Sequence, residues 1–202
     1  PEAINIPSTV TVYQNNRDTE SSGDIVPIET NAASPNFGLV DMTYDAARRR
    51  IYIANSSFNR VEVYDERTRQ LLAPIAVGQL PRSMAMSLDG GLLYVASSQS
   101  SEVITIVDLE RRQAIGRMKY PPIPLNANVP VISPEAIAAT QRGLLVIMNN
   151  GTLWSSVGDE LIPRQVSPII GSNVIAGPVR SIAATPNGEF AIILSGNGFV
   201  YL

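Results

Sequence analysis

The sequence predicts an all-β protein built from repeated four-stranded antiparallel units, and three observations lead there. The stretch from Met42 to Ala73 is followed by a near copy from Met84 to Ile115, with the apolar runs beginning at Ile51 and Leu93 standing 42 residues apart. Such runs are short, rich in β-branched residues and bounded by Gly, Asn or Asp, the punctuation of strands rather than of helices. Two of them, Leu144–Met148 and Phe190–Leu194, are apolar at every position. A strand with one wet face would alternate, so both faces of these runs are expected to be covered.

Taken in order, Pro1–Pro7 carries no element. Ser8–Tyr13 alternates with period two, and Ile25–Ile28 follows a polar loop, Gln14–Gly23. These two predicted strands echo Val61–Asp65 and Leu72–Ile75, so the chain opens in mid-repeat. After the connector Asn31–Gly38, the first full unit supplies strands near Leu39–Tyr44, Ile51–Asn55, Arg60–Tyr64 and Leu71–Val77. The second supplies Ser83–Ser87, Leu92–Ser97, Val103–Asp108 and Ala114–Lys119. Tyr120–Val131, with four prolines and no periodicity, reads as a loop between units.

The third unit starts at Ala136, 53 residues after Ser83, and runs through Leu144–Met148, Thr152–Ser156 and Ile162–Val166. Its Asn149-Asn150-Gly151 is a strong hairpin signal between apolar runs. The fourth starts 45 residues later at Ser181 and holds Phe190–Leu194 and Phe199–Leu202, with Gly196-Asn197-Gly198 as a turn. The units fall at residues 1–30 (a half unit), 38–81, 82–130, 134–178 and 179–202 (incomplete), within one domain. Four-stranded units of about 40–50 residues that bury both sheet faces against their neighbours describe a β-propeller. Two, four, four, four and three strands make 17, one more than four closed blades hold, so either the last strand is displaced or, the preferred expectation, the chain is a partial propeller. Its exposed terminal blades would favour self-association.

Composition bounds the function. Of 202 residues, 45% are hydrophobic and 16% charged, which suits a packed core, and the net charge of −3 argues against nucleic acid as a partner. No apolar run approaches the roughly 18–20 residues of a membrane helix, so no membrane insertion is expected. The chain begins at Pro1 rather than Met, which reads as loss of upstream residues. There is no Cys and no His. Disulfides, thiolate chemistry and a Ser-His-Asp triad cannot be built within this chain, and the commonest transition-metal ligand is missing. No catalytic residue, no metal site and no cofactor is therefore assigned.

The candidate contact residues are those that differ between units. Arg82, Glu135 and Arg180 hold one position, just before the first strand of three units, as PRSMAM, PEAIAA and VRSIAA. In a propeller that place lies near the rim of the central channel, where the three could hold a small anion or a polar loop. The competing account is that they pair with one another. Asn55 and Arg60 flank one variable loop and Asn149 begins another; these complete the set. The contacts would come from the loops Asn55–Arg60, Ser97–Glu102 and Asn149–Gly151.

Other motifs read as structure. Asn55-Ser56-Ser57 and Asn150-Gly151-Thr152 fit the glycosylation pattern but equally fit turn chemistry. Arg48-Arg49-Arg50 reads as a solvated turn, Trp154 as core packing, and Asp65, Asp89 and Asp108 as turn caps.

Leu88-Asp89-Gly90, Tyr94-Val95-Ala96-Ser97, Ile104-Thr105-Ile106-Val107-Asp108 and Ile75-Ala76-Val77-Gly78-Gln79-Leu80-Pro81 together resemble the YVTN-type, WD40-like repeats of bacterial β-propellers. The match is good over Leu39–Lys119 and looser over Pro134–Leu202, where Val146 and Ala191 stand in place of the signature Tyr. The resemblance implies a propeller of about seven blades, of which this chain is a part, and a secreted, periplasmic or cell-surface location. Its motif residues are structural and carry no catalytic residue over. The expected function is a non-enzymatic binding or scaffold module that takes a protein or small polar ligand through loops on one face. The alternative is a lactonase-like propeller hydrolase or isomerase using carboxylates and Arg at the channel, for which a perturbed carboxylate deep in the channel would speak.

Overall fold

The computed structural model describes residues 23, 25–31, 37–98, 104–118, 132–164, 179–196 and 198–201. All regular structure among them is strand, in four sheets. The first holds β1 (Leu39–Asp45), β2 (Arg50–Asn55), β3 (Arg60–Asp65) and β4 (Gln70–Ala76). The second holds β5 (Pro81–Met86), β6 (Leu92–Ser97), β7 (Ile104–Asp108) and β8 (Gln113–Met118). The third holds β9 (Pro134–Thr140), β10 (Gly143–Met148), β11 (Leu153–Val157) and β12 (Glu160–Pro163), and the fourth β13 (Val179–Ala184), β14 (Ala191–Ser195) and β15 (Gly198–Tyr201). Within each sheet the strands lie side by side in chain order, each antiparallel to the last. Ser8–Tyr13 and Tyr120–Val131 lie outside the described residues.

Local chemistry makes the hairpins. The turns that follow β1, β3 and β7 begin after an Asp whose carboxylate accepts backbone N–H groups. Asp45 takes Arg48 N at 3.0 Å, Asp65 takes Arg67 N and Thr68 N at 3.0 and 3.1 Å, and Asp108 takes Arg111 N at 2.8 Å. These bonds hold the Asp65 and Asp108 carboxyls below the ordinary carboxylate range, led in each case by the backbone N–H, of Thr68 and of Arg111. Each of these turns closes on a left-handed residue, Arg49 (φ 53°), Arg69 (φ 55°) and Arg112 (φ 52°), and the β2–β3 turn does so on Asn59 (φ 55°). The three arginines cost about 1 kcal/mol each in that conformation, an expense the Asp caps offset.

The alternation of side chains across each strand builds the core between sheets rather than within one. Tyr52, Ala54, Val61, Val63 and Ile75 of the first sheet pack on Met84, Leu93, Val95 and Val107 of the second. From its other face the second sheet sends Ala96, Ile104 and Met118 against Ile137, Leu144, Val146, Met148, Trp154 and Leu161 of the third. Successive first strands, β1, β5, β9 and β13, lie next to one another and form the inner row.

Two expectations are corrected. Ile25–Ile28 joins no sheet among the described residues: Pro27 has no N–H to give a ladder, and the Ile25 side chain is exposed. Phe190–Leu194 is not covered on both faces. β10 is buried from Leu144 to Met148, whereas β14 alternates, with Ala191 and Ile193 inward against the third sheet while Ile192 and Leu194 remain exposed. Both strands carry the same apolar sequence pattern; they differ because the third sheet has a neighbour on each side.

Candidate functional site

The ring position is made by a repeated irregularity of the inner strands. In β1, Leu39 pairs with Asn55 and Asp41 with Ala54, so Val40 is left without a partner in the ladder. The same one-residue bulge recurs at Arg82 in β5, at Glu135 in β9 and at Arg180 in β13. A bulged residue makes no ladder contact across the sheet and has its side chain re-aimed. Four residues that differ between units thus stand at one register and at one end of the array. That end also carries the β2–β3 loop with Asn55 and Arg60, and the β10–β11 loop with Asn149.

Just past the bulge lies a set of hydrogen bonds that ties sheet to sheet. Asp41 Oδ2 accepts Met84 N at 2.6 Å and Asp41 Oδ1 accepts Met42 N at 2.8 Å. Ser83 also hydrogen-bonds the Asp41 carboxylate, and its Oγ accepts Ile137 N at 3.3 Å. The chain of bonds therefore spans three sheets through Asp41, Ser83 and the inner edge of β9. The third sheet has Ala136 at this register and no side-chain oxygen to pass on, while the fourth has Ser181, which is exposed. Burial pushes the Asp41 carboxyl above its ordinary value, and the N–H donors of Met84 and Met42 and the Ser83 hydroxyl pull the other way.

These groups line an open cleft of about 440 Å³, bounded by Val40, Asp41, Arg82, Glu135, Ser181 and their inner-strand neighbours. Across it Arg82 Nη2 donates to both Glu135 oxygens at 3.1 and 3.2 Å. Both side chains are more than a third exposed, so the pair contributes at most about 1 kcal/mol and opens readily. Two of the three ring residues are thus paired with each other, and Arg180 stands at the equivalent backbone position.

The remaining candidates divide. Arg60 donates from Nε to Glu62 Oε1 at 2.6 Å and lies over the Phe58 ring at 4.7 Å, which leaves it half-buried at the start of β3 with its charge already paired. Asn149 is exposed, and its Oδ1 accepts Ser133 N at 3.2 Å. Asn55 is different: it is 0% exposed, and its amide donates to Glu62 Oε1 at 2.8 Å and to the Glu29 carbonyl at 2.9 Å. It holds the loop in place and reaches neither a ligand nor a glycosyl group. Asn150 is exposed and caps its own turn, accepting Thr152 N and the Thr152 hydroxyl. Trp154 is buried in the core between the second and third sheets and donates to Thr152 Oγ1.

Sequence reasoning missed Asp41, Ser83 and Ser181. The signal was available: each directly follows a ring residue, and a small polar side chain recurs there in three of four units. It also misread Arg48 as part of a solvated turn. Arg48 is half-buried and bonds Asp45 Oδ2 at 3.0 Å, Glu110 Oε2 at 3.2 Å and the Gly90 carbonyl at 2.9 Å. It links the first sheet to the second at the end opposite the ring. Among the described residues no three acidic side chains gather as a metal-ligand set.

Four-stranded antiparallel sheets stacked face to face with their first strands innermost make this chain a β-propeller. Solved structures agree. The chain is similar to one in Kuenenia stuttgartiensis hydrazine synthase, at 19% identity and a TM-score of 0.61, over 84% of this chain and 46% of that one. It is similar also to the dihydro-heme d1 dehydrogenase NirN in complex with DHE, at 16% identity and a TM-score of 0.55, over 82% of this chain and 34% of that one. The chain spans less than half the length of either. No protein-family model matches the chain, and no curated protein matches it.

Proposed function

We propose that this chain is a binding module of a β-propeller with YVTN-type repeats, taking a small anionic or zwitterionic ligand, or a polar loop of a protein partner, at the bulge end. One observation carries the reading. The four bulges place the residues that differ between repeats, Val40, Arg82, Glu135 and Arg180, at one register beside a polar cleft. A ligand carboxylate can take the place of Glu135 on Arg82, because the exposed pair is weak. Arg60 and Asn149 stand on the loops of the same end and would extend the contact. A secreted, periplasmic or surface location accords with the repeat type.

Thermal unfolding against a panel of small mono- and dicarboxylates, amino acids and inorganic phosphate tests this. A ligand-dependent rise in Tm is expected in the wild type. Its loss in the double variant Arg82→Glu with Arg180→Glu supports the ring, and an unaltered rise in that variant refutes it.

One observation favours a second reading, a propeller hydrolase or isomerase. Asp41 lines the cleft with its carboxyl raised by burial, the condition for a proton-transferring group. Against this, the carboxylate is engaged by two N–H groups and a hydroxyl, which suits a structural tie better than a base. Turnover of any lactone substrate that vanished in Asp41→Asn would establish the enzyme reading.

A further inference from the structure

At the end of the sheets opposite the bulges, the β1–β2 and β3–β4 turns of the first sheet and the β7–β8 turn of the second bound an open cleft of about 230 Å³. Four arginines line it, Arg48, Arg49, Arg50 and Arg67, against one acid among the described residues, Glu110. Two of the four are held by close ion pairs, Arg49 by Glu66 at 2.8 Å and Arg48 by Asp45 at 3.0 Å. The other two are not. Arg50 and Arg67 both face Asp65 Oδ2, at 3.7 and 3.8 Å, beyond hydrogen-bond length. Asp65 Oδ1 is already taken by Arg67 N and Thr68 N. Two guanidinium charges thus share one carboxylate that neither of them bonds. Arg50 Nε is buried and has no acceptor. The hydroxyl of Tyr52, two residues along the same face of β2 and 0% exposed, has no acceptor for its proton either.

The second sheet shows that the hairpins do not need these charges. Leu92 takes the place of Arg50: each pairs with the Asp that opens the following turn, Asp108 and Asp65. Glu110 takes the place of Arg67, two residues beyond that Asp. The same strands and turns form there with a leucine and a glutamate, so Arg50 and Arg67 are surplus to the fold. Arg is the side chain whose flat fork of N–H groups matches the oxygens of a phosphate group.

We propose that this cleft binds a phosphate group, as the free ion or as a monoester, between the guanidinium groups of Arg50 and Arg67, with Arg48 turning its Nε from Glu110 to the ligand. The exchange at Arg48 costs little, because the Glu110 side chain is 82% exposed and is held by that one bond of 3.2 Å. A water molecule on Arg50 Nε would satisfy that donor but leave the shared charge of Arg50 and Arg67 unmet. The site is separate from the ring: it lies at the other end of the sheets and has no lining residue in common with the bulge cleft.

The test is a titration of inorganic phosphate into the nitrogen-15-labelled chain at fixed ionic strength, set with sodium chloride, following the arginine Nε–H resonances by NMR. The Arg48, Arg50 and Arg67 signals are expected to move together and saturate on one curve, while that of Arg111, exposed and paired within its own turn, stays still. Arg67→Glu, which installs the residue of the matched turn, is expected to weaken binding about tenfold or more. Glu110→Gln, which removes the competing carboxylate, is expected to tighten it about two- to fivefold. Both side chains are largely exposed, so the variants fold, which their far-UV spectra check. An Arg50 signal that does not move, a shift that is linear in phosphate and equal at Arg111, or a Glu110→Gln chain that binds no tighter would each overturn the proposal. The curve is expected to survive in the double variant Arg82→Glu with Arg180→Glu, and its loss there would move the phosphate to the ring. A phosphate effect that survives belongs to this cleft, so the ring is judged on the carboxylate ligands. Phenyl phosphate assigns the source: binding tighter than that of inorganic phosphate supports a group carried on a larger molecule, and weaker binding supports the free ion.

Discussion

Arg48 donates to the carbonyl of Gly90 across 2.9 Å, so that a turn of the first sheet is fastened to a turn of the second. The same guanidinium neutralises Asp45, which is buried, and reaches Glu110 from the second sheet. Replacing Arg48 by Ala leaves that carboxylate with a single backbone donor and frees the two turns from each other. A loss of about 2–3 kcal/mol in urea unfolding is expected. Arg48→Lys, which keeps the charge but lacks the planar fork, is expected to recover less than half of it.

The Asp41 tie gives a second prediction, on pH. Because burial raises its carboxyl in the folded chain, Asp41 favours folding most when protonated. Its contribution is full below the ordinary value of 3.8 and is lost as pH rises through the folded value. Asp65, Asp89 and Asp108 act in the opposite sense. Their lowered values mean that their contribution is present above the ordinary carboxylate range and is lost as pH falls through it. Asp41→Asn is therefore expected to remove the decline on the rising side and leave the acid limb unchanged. Asp41→Ala, which orphans Met84 N, should cost about 1–3 kcal/mol at neutral pH. Denaturation midpoints between pH 3 and 8 measure both.

Asn55 offers a third. Its amide lies between the Glu62 carboxylate and the Glu29 carbonyl, both acceptors, so only a donor fits. Asn55→Ala should lose about 1–3 kcal/mol. Asn55→Asp sets a second carboxylate against Glu62 and should lose more at pH 7, regaining stability as pH is lowered and one of the two takes a proton. An Asn55→Asp chain as stable as the wild type at pH 7 would contradict this geometry.

Two glycines separate backbone strain from crowding. Gly158 and Gly188 both have left-handed backbones, φ 61° and 67°, but a Cβ at Gly158 meets nothing within 4 Å. At Gly188 it would lie 2.5 Å from Leu88 Cδ1 and 2.9 Å from Gln141 N. Gly158→Ala is expected to cost about 1 kcal/mol from conformation alone, and Gly188→Ala about 1–3 kcal/mol more. Equal costs at the two sites would show that the turn around Gly188 gives way.

Much of the fold was legible because it repeats. Tyr52 and Tyr94 announce the same strand twice, and the Asp caps at residues 65 and 108 announce the same turn. What was not legible was the direction of packing. Leu145 and Ile192 hold one register in equally apolar strands, yet one is buried and the other exposed, because exposure here depends on whether a whole sheet stands alongside. The ring residues were found as a column of differences, although the bulge that sets them apart leaves no mark in residue type. Asp41 and Ser83 escaped notice because a polar residue at a strand start looks like ordinary solvent-facing chemistry until the neighbouring strand supplies its N–H.

The bulge at Val40, Arg82, Glu135 and Arg180 bears on how such a molecule changes over time. A residue outside the ladder can be exchanged without shifting the pairing of its neighbours. Each sheet therefore offers one address at the cleft where charge, size or polarity can be rewritten by a single codon. Four such addresses let the residue type at this end change in small steps while the pairing of the strands is inherited intact.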